Sequence, residues 1–267
     1  MGKSLENNWA LILGASSGFG EAAALELASH GMNIFGVHLD RKSTMPKVEE
    51  IKDKIKEKGR EASFFNINAA DADQRAETLG EMEQILDEHG SPSGVKVLIH
   101  SLAFGTLKPY IADNERERVS QKNMDMTLDV MAHSLVYWSQ EAVSRKLMVE
   151  GGRIFAMTSA GGHRIWPTYG PVSAAKAALE SHIRQLAVEL APYKITANAI
   201  QAGVTETPAL SKIPGNDKII EHALSVNPAG RLTTTEDVAE AIAALSVAGT
   251  HWLTGNVIKV DGGEDLI

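Results

Sequence analysis

A short apolar run from Trp9 to Leu13 leads into Gly14-Ala15-Ser16-Ser17-Gly18-Phe19-Gly20, and a helical pattern opens at Glu21. Glycines spaced this way between a strand and a helix suit the holding of a pyrophosphate. Glycine permits the tight turn and lets the backbone approach the phosphates closely. The helix N-terminus then offers N–H groups and the positive end of its dipole. A plain strand-to-helix turn uses the same residues, but the strand before, the helix after and the place at the head of the chain favour a dinucleotide. A second strand ends at His38, where an acid would bind the adenosine ribose. Asp40 comes two residues later, followed by Arg41 and Lys42. Two bases beyond an absent acid favour a 2′-phosphate, and so NADPH over NADH. Against this, Asp40 is within reach of the ribose, and Arg41 and Lys42 also read as solvated charges opening a helix. Asn68, after a third strand, is a candidate adenine contact or the N-cap of the next helix.

These residues need a scaffold, and the chain spells one out. Apolar β-type runs alternate with helical patterns from end to end, which predicts a doubly wound α/β Rossmann-type parallel sheet with helices on both faces, in a single domain spanning 1–267. The seven expected strands are Ala10–Leu13, Asn33–His38, Ser63–Ile67, Val95–His100, Gly152–Met157, Lys194–Ile200 and Asn256–Val260. Helices are expected over Gly18–His30, Pro46–Lys58, Asp71–His89, Asp113–Met148, Tyr169–Leu190 and Thr235–Ala248. Pro208, Pro214 and short helical pieces mark residues 204–227 as a lid inserted before the last helix.

Composition narrows the function. The 267 residues are 43% hydrophobic and 22% charged, ordinary for a soluble domain. No apolar run approaches the roughly 20 residues of a membrane helix. The first residues carry neither a secretory signal nor a myristoylation signal, since Glu6 stands where Ser or Thr is wanted. The absence of Cys excludes disulfides, thiolate metal sites and a Cys nucleophile, and fits a cytoplasmic location. Nine scattered His without an HExxH pair argue against a metal. A net charge of −8 argues against nucleic-acid binding, while leaving room for an acidic partner at a local basic patch.

Over its whole length the chain resembles the short-chain dehydrogenases/reductases. The resemblance rests on the Gly-rich loop, Tyr169 and Lys176, Asn198-Ala199-Ile200-Gln201-Ala202-Gly203, and Val260-Asp261-Gly262-Gly263, in the family's order and spacing. It implies that Tyr169 is the acid and that Lys176 holds the nicotinamide ribose and lowers the Tyr pKa. It also implies that Ser159, 17 residues before Lys176, orients the substrate carbonyl. Standard members place Tyr four residues before Lys, which is Val172 here; Tyr169 stands seven before. Tyr-x6-Lys is the spacing of a divergent branch, the enoyl-acyl-carrier-protein reductases. His100-Ser101-Leu102-Ala103-Phe104 resembles that branch's His-Ser-hydrophobic-small-Phe segment, Ala202 replaces the usual Pro before Gly203, and Met131 replaces a catalytic Asn. Ser159 departs from the branch, some of whose members carry a second Tyr there.

On a helix, i and i+7 share a face to within about 20°, and their Cα atoms lie about 10.5 Å apart along the axis, against about 6 Å for i and i+4. The longer spacing suits an enoyl thioester, in which hydride adds to the β-carbon and charge collects on the thioester oxygen, two bonds further away than the oxygen of a ketone. The resemblance implies reduction of a trans-2-enoyl thioester on acyl-carrier protein by NADPH or NADH, in a homotetramer. Ser16, Ser17, Ser101, Leu102, Ala103, Ala202, Gly203, Thr205 and Thr207 would stand by the cofactor. Phe104, Trp166 and Leu210, with Tyr169, would line an acyl channel, although each apolar residue also reads as core. Lys212 and Lys218 are candidates for carrier docking. The rival readings are a 3-oxoacyl or other carbonyl reductase, and a non-catalytic NADP(H) sensor.

Overall fold

A computed structural model describes residues 5–90 and 94–267. The first four residues, on which part of the N-terminal reading rests, lie outside that range. In chain order the elements are β1 (Trp9–Leu13), α1 (Gly18–Ser29), β2 (Asn33–His38), α2 (Met45–Glu57), β3 (Ala62–Asn66), α3 (Ala72–His89), β4 (Val95–His100), α4 (Gln121–Leu128), α5 (Ser134–Ser144), β5 (Met148–Ser159), α6 (Gly170–Glu189), β6 (Thr196–Ala202), α7 (Asn216–Val226), α8 (Thr235–Leu245) and β7 (Val257–Val260). The strands form one parallel sheet in the order β3-β2-β1-β4-β5-β6-β7.

β1 and β2 are buried along their whole length, and β4 at every residue but Lys96, because helices cover both faces. Alternate residues of β1 feed two separate cores. Leu11 and Leu13 pack with α3, α5 and α6 through Leu79, Trp138 and Leu179. Ala10 and Ile12 pack with α1, α2 and α8 through Leu27, Ile51 and Ile242. Trp138 also donates its indole N–H to the Ala69 carbonyl at 2.8 Å, tying α5 to the end of the third strand unit.

Four of the expected strands shift by one or two residues at an end, and the fifth begins earlier and ends later, running from Met148 through Ser159. The expected helix over Asp113–Met148 is corrected most. It begins at Gln121, after a capping box in which Ser120 and Asn123 satisfy each other's backbone N–H groups. It stops at Ser144, and Met148 already belongs to β5. Between α4 and α5 the chain widens into a π-helical turn at Asp129–His133. That turn carries Met131 inward, where it meets Val172 of α6 across Gly105: a Cβ on Gly105 would stand 2.8 Å from both side chains.

Two glycines test this packing. A Cβ at Gly20, in the first turn of α1, would run into the Gly14 backbone carbonyl, which cannot yield without reshaping the loop. Gly80, inside α3, faces open space. Gly20→Ala is expected to destabilise the fold by about 1–3 kcal/mol, and Gly80→Ala to stabilise it by about 0.5–1 kcal/mol. Urea denaturation of the two variants decides, and the same sign for both would refute the packing described.

Candidate active site

The sheet reverses its winding between β1 and β4, and the C-terminal ends of these strands open the crevice in which doubly wound folds bind ligands. Gly14 sits in that crevice at φ +91°, its N–H bonded to the Val37 carbonyl at 2.8 Å. A Cβ there would collide with the Ser101 carbonyl. Gly18, at φ +54°, lies under Thr207, whose methyl is 3.5 Å from where a Cβ would stand. The N-cap of α1, Ser17, makes no side-chain capping bond. Two close backbone approaches that only glycine permits, at Gly14 and Gly20, and a left-handed Gly18 between them, at a helix N-terminus whose N-cap makes no side-chain capping bond, fit a dinucleotide pyrophosphate. Thr207 arrives at this loop from beyond β6, as expected.

At the end of β2, His38 is buried rather than ligand-facing, with Nδ1 3.1 Å from Asp40 Oδ2. Burial holds the His38 imidazole below its ordinary pKa. Burial alone would raise the Asp40 carboxyl, but hydrogen bonds from Thr44, Ser16 and His38 outweigh it and hold the group low. Asn66 clamps the same corner, accepting from the Asp40 N–H and donating to its carbonyl. Arg41 and Lys42 stand exposed beyond it. Asn68 is exposed and does not cap α3; Asp71 does, and the Asn68 side-chain Oδ1 accepts from the Ala70 N–H.

Lys176 is buried within α6, and its ammonium donates to the Met157 carbonyl of β5 at 2.6 Å. Burial pulls its pKa down to about 8, opposed by the Glu180 carboxylate one turn on. Glu180 in turn accepts from the Thr158 hydroxyl at 2.6 Å. Tyr169 is not inside the helix but is its N-cap, at φ −84° and ψ −2°, and Ser173 N–H closes the first turn onto the Tyr169 carbonyl at 2.8 Å. The near-helical dihedrals keep the i, i+7 alignment with Lys176. Thr168 before it is held at φ +66°, with its hydroxyl buried and unpartnered, a conformation that β-branched residues rarely adopt.

The chain behind Tyr169 gives a reason for that strain. A Cβ at Gly161 would stand 2.5 Å from the Tyr169 ring and 3.3 Å from Ser159 Oγ, so the bare glycine lets ring and hydroxyl lie together. Burial raises the Tyr169 phenol pKa and Ser159 opposes the rise. The buried Ser159 hydroxyl completes no well-formed hydrogen bond within the chain. Val172, by contrast, is packed in the core.

Ser159 and Tyr169 open onto a cavity of about 370 Å³, walled by Phe19, Trp166, Leu210, Ile213 and Ile219 and reaching Ala202, Gly203, Thr205 and Thr207. Trp166 and Leu210 thus stand together in the cavity wall. Phe104 does not: it is 64% exposed and lies off this cavity. Of the rest of its segment, Ser101 is half-buried, Leu102 packs against the core and Ala103 is exposed. The lid segment forms a short turn at Leu210–Lys212 and then α7, and the Trp166 indole donates to the Pro214 carbonyl at 3.3 Å.

The C-terminal turn contributes a wall that the sequence reading did not foresee. Glu264 lines the cavity and accepts from the Val204 N–H at 3.0 Å, with burial raising its carboxyl. Asp265 gathers Arg164 at 2.7 Å, Lys259 at 2.7 Å, Gln201 at 2.9 Å and His163 at 3.3 Å. Burial alone would raise this carboxyl, but the cations and the amide hold it at about 2. Arg164 and His163 thus tie the loop after β5 to the chain end. The one sequence signal for this turn was its place directly after the Asp-Gly-Gly motif.

If the Lys176 ammonium meets the nicotinamide ribose as the family resemblance implies, NADPH affinity is expected to fall as pH rises through about 8, where the amine loses its proton. Lys176→Met should bind weakly with no such inflection. Fluorescence titration from pH 6.5 to 9.5 checks this; a flat wild-type profile counts against it.

Comparison with known proteins agrees with this geometry. The family model described as "Enoyl-(Acyl carrier protein) reductase" matches residues 14–264. The NADH-dependent enoyl-[acyl-carrier-protein] reductase FabI of Nostoc sp. is 31% identical, with 94% of this chain and 92% of that protein aligned. The 3-oxoacyl-[acyl-carrier-protein] reductase FabG of Aggregatibacter actinomycetemcomitans is 32% identical, with 95% and 97% aligned. The crystal structure of the enoyl-[acyl-carrier-protein] reductase (NADH) from Aquifex aeolicus superposes with a TM-score of 0.82 at 25% identity, covering 98% of each chain. With a Gly-rich dinucleotide crevice, a Ser–Tyr–Lys constellation and relatives of both reductase types, the chain belongs to the enoyl-(acyl carrier protein) reductase family of the short-chain dehydrogenases/reductases and is an oxidoreductase.

Proposed function

We propose that this protein reduces the carbon–carbon double bond of a trans-2-enoyl thioester. The observation that carries the reading is the pairing of a half-buried Tyr169 at the helix cap with a Val172 sealed in the core. The position four residues before Lys176 has no route to the cavity, so the acid is set back from the ammonium by a further turn. A bound nicotinamide supplies hydride. Tyr169 donates a hydrogen bond to the thioester oxygen, where charge collects, and then a proton. Lys176 holds the ribose and favours the phenolate that results. The apolar walls accept the acyl chain and exclude water. One observation favours the carbonyl-reductase alternative: Ser159 lies against Tyr169, ready to orient a ketone oxygen.

Steady-state assays separate the two. Oxidation of NAD(P)H is expected to be rapid with crotonyl or longer 2-enoyl thioesters. With the matching 3-oxoacyl thioester it should be at least about a hundredfold slower, a barrier difference of about 2.7 kcal/mol. Tyr169→Phe should lower kcat and leave cofactor affinity nearly intact. Faster turnover of the oxoacyl substrate would sink the enoyl reading. Binding of NADPH without turnover of either would favour a sensor.

The preferred cofactor in this proposal is NADPH. Asp40 is engaged by Ser16, Thr44 and His38, while Arg41 and Lys42 remain free to meet a 2′-phosphate. Arg41→Ala with Lys42→Ala should weaken NADPH by about 1.5–3 kcal/mol per contact and leave NADH nearly unchanged. Equal losses for both cofactors would refute the assignment. We further propose that residues 204–227 act as a lid and that the substrate arrives on acyl-carrier protein. Its acidic surface would meet the exposed Lys212 and Lys218, on a homotetramer working in the cytoplasm. No helix of the described residues is long and apolar enough to cross a membrane.

A further inference from the structure

His100 ends β4 and is completely buried, yet nothing in the proposed reaction uses it. Its Nε2 lies 2.8 Å from the Ser134 hydroxyl of α5. That hydroxyl has a single proton, and it donates that proton to the Val130 carbonyl, also at 2.8 Å. Ser134 can therefore only accept from the imidazole, so His100 carries its proton on Nε2. The other ring nitrogen, Nδ1, is left as a lone-pair acceptor, buried and without a hydrogen-bond partner. Orphaned acceptors of this kind are rare in protein interiors and call for an occupant.

The surroundings supply a donor. The register neighbours of His100 are Leu13 and Ala156, both uncharged. Lys176 of α6 donates to Met157, the residue after Ala156 on the neighbouring strand, which brings its ammonium to the same strand end as His100, with Glu180 one turn beyond on α6. Burial, reinforced by the Lys176 charge, pushes the imidazole down to about 3, which keeps it a neutral acceptor at any working pH. The ammonium has three N–H groups and one identified acceptor, Met157 O. We propose that His100 is a positioning residue for Lys176. Its Nδ1 accepts a second ammonium N–H through one enclosed water, and so aims the third at the cofactor ribose. Ser134 acts one step further back, by locking the tautomer. The inference rests on the reading of Lys176 as the cofactor anchor.

Two measurements test it. In a long-range 1H–15N spectrum of the labelled wild-type protein, one histidine ring, identified by its loss in His100→Gln, is expected to show the Nε2–H tautomer unchanged from pH 6 to 9. A ring protonated on Nδ1, or one that titrates in this range, overturns the proposal whatever the enzyme reduces. In NADPH titrations, His100→Leu is expected to lose about tenfold in affinity, the equivalent of one charge-assisted hydrogen bond. Its alkaline inflection should move down by roughly one pH unit, since the ammonium has lost an acceptor. His100→Gln, which keeps an acceptor oxygen, should recover most of both. Wild-type affinity and inflection in the Leu variant, or a Gln variant as impaired as Leu while both melt with the wild type, would overturn it. Should His100→Leu fail to fold, Ser134→Ala substitutes: a mixed tautomer and weaker NADPH binding support the proposal, and an unchanged spectrum and affinity refute it. A wild type that binds NADPH but reduces no thioester counts against the proposed function and leaves these readouts standing.

Discussion

A positive charge in the middle of the protein is the constraint around which the rest is arranged. The Lys176 ammonium lies among the side chains that join α6 to the sheet, and a lone buried charge is among the costliest things a fold can contain. What makes it tolerable is a carbonyl at the end of β5, a carboxylate one turn further along the same helix, and small neighbours that let helix and strand approach. Those neighbours are Ala174, Ala175, Ala177 and Ala178. The same contacts grip consecutive residues of β5, since Lys176 holds Met157 and Glu180 holds Thr158. Ser159 is next in line. In the proposed reading, the charge that would meet the cofactor thereby fixes the strand end that carries the hydroxyl facing the substrate.

Tyr169 is held by an opposite logic. It is placed not by a helix interior but by a loop that ends in a strained threonine and passes behind the ring through a glycine with no room for a side chain. Rigid placement of Lys176 and loop placement of Tyr169 divide the site into a part that the fold determines and a part that local sequence can move.

That division explains what could be read from the chain alone. The alternation of strands and helices, the Gly14 to Gly20 loop and the alignment of Tyr169 with Lys176 are local, periodic signals, and the structure contains them. The segment around Asp113–Met148 misled because its composition is helical throughout. Its true start depends on the Ser120–Asn123 capping box, and its interruption on a π turn that seats Met131 against Gly105. Phe104 was expected in the channel from the resemblance of its segment, but which way a loop aromatic points is set by tertiary packing. Glu264 and the hydrogen bonding of His100 were not legible for a common reason. Each acts through a partner far along the chain, and no spacing in sequence announces such a partner.

The two apolar residues at Met131 and Val172 complete the argument about substrate. In the ketone-reducing pattern both positions carry polar groups close to the ammonium; here both are spent on packing Gly105. Returning a hydroxyl to position 172 would put it in the core with nothing to bond, a penalty with no catalytic return. A site whose near positions are sealed with apolar packing can place an acid only at the far one. In the proposed reading, charge stabilisation then falls three bonds from the carbon that receives hydride, where a conjugated thioester accumulates it and a simple ketone does not.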